Sequence, residues 1–76
     1  MKWILSDIAL GRNIQTIRMQ KNMTQTDVVA KLQLMGSMMS RSTLANIETG
    51  RRNIKVNDLR LLKHIFDVSY EEFFRE

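Results

Sequence analysis

"SRSTLANIETGRR", residues 40–52, gathers a run of hydroxyl side chains, two apolar residues three apart, one glycine and two adjacent arginines. Ser40 can cap a helix at its amino end, Leu44 and Ile47 form an i, i+3 apolar pair, and Gly50 can take the left-handed conformation that closes a helix. The spacing predicts a helix of about two turns over 40–49. Such a helix is unstable alone in water and must be held by the second and fourth helices through its apolar pair. Arg41, Ser42, Thr43, Ala45 and Asn46 then face away from the core. They are small or hydrogen-bonding, and no carboxylate interrupts them before Glu48. A solvated helix face ordinarily mixes both signs of charge. This one lacks the acids.

Elements that could hold that rod lie on both sides of it. Leu10, Ile14 and Ile17 share one helical face, predicting a first helix over 8–21. Thr24 offers a hydroxyl cap with Asp27 three residues on, an approximate capping box. Val28, Val29, Leu32 and Met35 continue an apolar stripe up to Gly36. Beyond the opening stretch, Leu59, Leu62, Ile65 and Phe66 mark a fourth helix from about Val56, with Lys55 standing where a capping side chain would be useful. Ser69 and Glu72 read as a second capping box that opens a last turn carrying Phe73 and Phe74. The expected fold is all-α: one domain over 1–76, a compact bundle of about five short helices with its core over 7–74 and an N-terminal extension over 1–6.

With 76 residues, no cysteine and no proline, the chain must be held by its apolar core alone, without disulfides or thiolate metal sites. No run approaches the roughly 20 apolar residues of a membrane span, and Asp7 interrupts the apolar start at Trp3, Ile4 and Leu5. A cytoplasmic location is expected. The net charge of +4 is unevenly spread. Residues 1–63 carry eleven Lys/Arg against Asp7, Asp27, Glu48 and Asp58, while 64–76 carry Arg75 against Asp67, Glu71, Glu72 and Glu76. A basic body with an acidic tail points to a polyanionic partner, although mild basicity also serves solubility.

An outward helix face of Arg, Ser, Thr and Asn suits the DNA major groove, which is about 12 Å wide and displays base edges that Arg and Asn can address bidentately. The stretches "IQTIRMQKNMTQTDVV" (14–29), "SRSTLANIETGRRN" (40–53) and "LRLLKHIFDVSYEEFF" (59–74) resemble, in order and spacing, the helix-turn-helix proteins of the lambda repressor and Cro type. The resemblance implies a lambda repressor-like DNA-binding domain. It assigns base reading to Arg41, Ser42 and Asn46, and phosphate contact to Thr24, Gln25, Ser40, Thr43, Arg51, Arg52 and Asn53. Arg18 and Glu48 match an internal ion pair. Two departures stand out. "KLQLMGSMMS" (31–40) makes the connection before the third helix about five residues longer than the usual one, and it is expected to extend the second helix. Val29 occupies a position where the family usually has a small residue.

Simpler readings stand beside these. Arg51 and Arg52 could be a solvated pair at a helix C-terminus, where the dipole favours cations. Met35, Met38 and Met39 could form a flexible partner surface, but methionine more often fills core gaps; Met39 is expected inside and Met38 partly exposed. His64 has no second ligand in sight, and Ser42 and Thr43 have no base to activate them, so no metal, cofactor, small-molecule ligand or catalysis is expected. The expected function is a sequence-specific transcriptional regulator, a repressor that places helix 40–49 in the major groove of a palindromic operator. Its expected state is a homodimer through Tyr70, Phe73 and Phe74, with Trp3 as a further contact. The alternative is a protein-interaction adaptor or antitoxin-like module on the same fold, which would tolerate acids or large apolar residues at 41–46.

Overall fold

Five amphipathic segments fold as the periodicity predicts, and the computed structural model describes residues 8–76: α1 (Ile8–Gln20), α2 (Gln25–Leu34), α3 (Arg41–Glu48), α4 (Val56–Phe66) and α5 (Tyr70–Phe73). Trp3 and the extension over 1–6 lie outside the described residues. Helix α1 packs on α3 and α5, while α2 packs on α3 and α4. The short third helix is thus clamped chiefly by α1 and α2, not by the second and fourth helices as expected. Leu44 and Ile47 anchor it in a core shared with Leu10, Ile14, Ile17, Val28, Leu32, Leu59, Leu62 and Phe66. Val29 is buried there too, at 7% exposure, so the helices accommodate its branched side chain.

Helix ends explain the tight joints. Thr24 caps α2 in a reciprocal box, its hydroxyl accepting from the Asp27 N–H at 3.0 Å while the Asp27 carboxylate accepts from the Thr24 N–H at 2.9 Å. The Thr24 backbone N–H, and after it the Thr24 hydroxyl, favour the charged carboxylate and hold the Asp27 pKa below its ordinary value. Ser40 caps α3 by accepting from the Thr43 N–H at 3.1 Å. At their carboxyl ends, α1, α2, α3 and α4 each close on a left-handed residue: Asn22, Gly36, Gly50 and Asp67. The same hydrogen-bond pattern recurs, as where the Arg51 N–H reaches the Asn46 carbonyl at 2.8 Å and Gly50 reaches Ile47 at 3.0 Å. Gly50, at φ 79°, therefore turns the chain so that Arg51 and Arg52 leave directly beside the end of α3.

Several expectations need correction. Helix α2 stops at Leu34 instead of running on to Gly36, and Met35 is 40% exposed rather than part of the apolar stripe. The extra length goes into a six-residue connection, 35–40, rather than into the helix. Met39 does fill the core at 4% exposure, but Met38 is 96% exposed, more than the partial exposure expected. Ser69 makes no side-chain cap bond: the Glu72 N–H donates to the Ser69 carbonyl at 3.1 Å, and the Glu72 carboxylate pairs with Arg75. Lys55 precedes α4 without a side-chain cap bond, as its chemistry requires.

Phe73 is the largest correction. It is fully buried, its ring centroid 6.4 Å from that of Phe66, so it belongs to the core and not to a subunit interface. The Asn13 side-chain amide fixes this end by donating to the Phe73 carbonyl at 2.8 Å and to the Arg75 carbonyl at 2.7 Å. These bonds strap α5 across α1.

Candidate nucleic-acid interface

The electrostatic centre of the site is buried. Arg18 donates from Nε to a Glu48 carboxylate oxygen at 2.7 Å, from Nη2 to the other at 3.1 Å, and from Nη1 to the Met23 carbonyl at 2.8 Å. Gln25 adds a bond from its amide to Glu48 at 2.9 Å. Arg18 and Glu48 are 9% and 5% exposed, so the pair ties α1, the start of α2 and the end of α3 into one unit. Planar guanidinium and carboxylate groups suit this two-point geometry. Among the described residues, no buried side-chain nitrogen or oxygen lacks a partner. Glu48, the one carboxylate of α3, is turned inward and neutralised there.

What remains outside α3 is the face anticipated from the sequence. Arg41 and Ser42 are exposed, and Thr43, Ala45 and Asn46 are half-buried along the flank. Ser40 and Thr43 share a hydroxyl–hydroxyl contact at 3.0 Å, so both are partly committed to the helix start. Thr49 donates to the Asn46 carbonyl at 3.1 Å.

Two recesses flank this helix. On one side Thr24, Gln25, Thr26 and Arg41 line a shallow depression with Arg18 and Met23 at its base. On the other a larger groove runs between the 35–39 connection and the loop after α3, lined by Thr43, Arg52, Asn53, Lys55 and Asn57. The structure therefore separates the proposed phosphate contacts into two banks. Thr24 and Gln25 fall on one bank, Thr43, Arg52 and Asn53 on the other, and Arg51 is exposed at the end of α3. A duplex presents two phosphate strands on either side of a major groove, and the site presents two recesses on either side of a short helix.

Thr26, Lys55 and Asn57 join these banks and were missed in the sequence. Lys55 had a legible signal, as a cation three residues past Arg52. The other two are ordinary polar residues that only the packing brings to the site. Gly11 was missed as well: a Cβ there would run into the Ile47 carbonyl oxygen, so α1 and α3 touch backbone to backbone. Only glycine permits that approach.

A family model described as helix-turn-helix matches residues 14–73, which include all of α2 to α5 and most of α1. The chain belongs to that family, the Cro type of helix-turn-helix, and is a DNA-binding transcription regulator in that general sense. No curated protein and no solved structure matches it. Among the described residues, no helix is long and apolar enough to cross a membrane.

Proposed function

We propose that this protein is a repressor that recognises a specific duplex sequence by seating α3 in the major groove and acts by occupying its operator. The single observation that carries this reading is the outer face of α3, which bears an exposed arginine and no exposed carboxylate and lies between two polar recesses. Arg41, Ser42 and Asn46 read base edges. Thr24, Gln25, Ser40, Thr43, Arg51, Arg52 and Asn53 hold phosphates and set the register. Arg18 and Glu48 hold the helix.

One module of this size covers little DNA, so high affinity calls for two copies on a palindromic site with half-sites about one helical turn apart. With Phe73 committed to the core, Tyr70 and Phe74 remain as the apolar contacts for a second copy. They are 41% and 46% exposed and one helical turn apart.

Arg41→Ala should reduce discrimination between the preferred and a mismatched duplex by about 1–3 kcal/mol, whereas Arg52→Ala should weaken all duplexes alike and lower the salt slope by about one. Fluorescence anisotropy across a salt series checks both. Equal losses on every sequence from both variants would defeat the division between reading and clamping. Weak, salt-independent retention on duplex DNA would favour the protein-adaptor reading.

A further inference from the structure

The long connection between α2 and α3 has a fixed shape. The Gly36 and Ser37 N–H groups close α2 on the Gln33 and Leu32 carbonyls, each at 3.0 Å. The Ser37 hydroxyl donates to Asp58 of α4 at 2.8 Å and accepts from the Met39 N–H at 3.1 Å. Gln33 donates to the Met39 carbonyl at 3.2 Å, and the Met39 side chain is sunk in the core. Met38 is thus held on both sides by anchored neighbours, yet its own side chain is 96% exposed. Its exposure is built in by the bonds around it.

Met38 also has a defined outlook. With Ser37 it lines the groove that Thr43, Arg52, Asn53 and Lys55 also line. Asp58 lines the groove too and accepts from Ser37, so the two cations Arg52 and Lys55 face one carboxylate there. A groove lined by two cations and an exposed methionine fits a deoxyribose–phosphate strand, which has an anionic edge and an apolar sugar edge. We propose that the 35–40 connection is a DNA-binding element: Met38 lies against the sugars of the backbone strand whose phosphates Arg52 and Lys55 hold. This rests on the DNA-binding reading of α3 and extends it to residues 35–39, which the assignment of base and phosphate contacts leaves out.

The chain has no cysteine, so a single thiol can be placed at will. Met38→Cys carrying a tethered iron chelate is bound to a duplex selected from a randomised pool by the unaltered protein, and strand scission is mapped. His64→Cys, in a separate recess beside Lys31 and Leu34, serves as the control. Scission by the Met38 conjugate should concentrate on one strand beside the protected site and exceed that of the control. Met38→Ala should weaken binding about fivefold with an unchanged salt slope, while Lys55→Ala lowers the slope by about one. A conjugate that loses binding where unlabelled Met38→Cys keeps it also supports the contact. Bound Met38 conjugate that cuts no more than the control overturns the proposal and leaves the reading of α3 intact. If the unaltered protein selects no duplex, both fall together.

Discussion

The two flanks of α3 are built differently. On the flank facing α1 the helix is held by a buried, four-residue polar network, Arg18, Met23, Gln25 and Glu48, and by a backbone contact at Gly11. On the other flank, beside the 35–40 connection, α3 borders a groove open to solvent, where the polar tie, Ser37 to Asp58, joins the connection to α4 and not α3 itself. A charge pair out of water tolerates little displacement, so the first flank sets the position of the helix. The second leaves room for a partner beside it.

That contrast can be broken most severely at Glu48. Glu48→Ala leaves Arg18 buried and unpaired and should cost about 3–5 kcal/mol in urea unfolding, whereas Ser37→Ala on the open flank should cost about 1 kcal/mol. Similar losses for the two variants would mean that the flanks are equivalent. Gly11→Ala comes next, at about 1–3 kcal/mol, because the new methyl must push α3 away from α1. Its DNA affinity should fall by more than its stability alone explains, since the displaced helix carries Arg41; anisotropy measured well below the unfolding temperature tests this.

The smallest effect is expected at the amino end of α2. The Asp27 pKa is depressed in the folded chain, so its contribution to stability is present above its ordinary value near 3.8 and fades as pH falls through the lower folded value. Asp27→Asn should flatten that part of the acid stability curve. Unfolding by circular dichroism between pH 5 and 2 follows it, and an unchanged acid limb would show that the capping box does not set it.

Local chemistry made much of this molecule legible beforehand. Thr24, Ser40 and Gly50 mark helix ends through contacts with residues three or four positions away, and Leu44 and Ile47 announce their burial by spacing. The same rule misled at Ser69, where the Glu72 N–H goes to the Ser69 carbonyl and the Glu72 carboxylate to Arg75. It also misled at Phe73, whose pattern fits an exposed interface as well as a core. The decisive Asn13 bonds to this end span 60 and 62 positions along the chain. The Ser37–Asp58 bond, 21 positions apart, was equally invisible.

The amino-acid sequence by itself determined that five short amphipathic helices form and that one of them turns an acid-free face outward. Periodicity and capping are interactions within a turn or two, readable from neighbours alone. Only the tertiary structure decided that Gln25 joins the Arg18–Glu48 pair, that Gly11 admits α3, that Phe73 is core, and that a groove opens beside Met38. Each depends on which distant residues packing brings together, and close packing is settled by the whole chain at once.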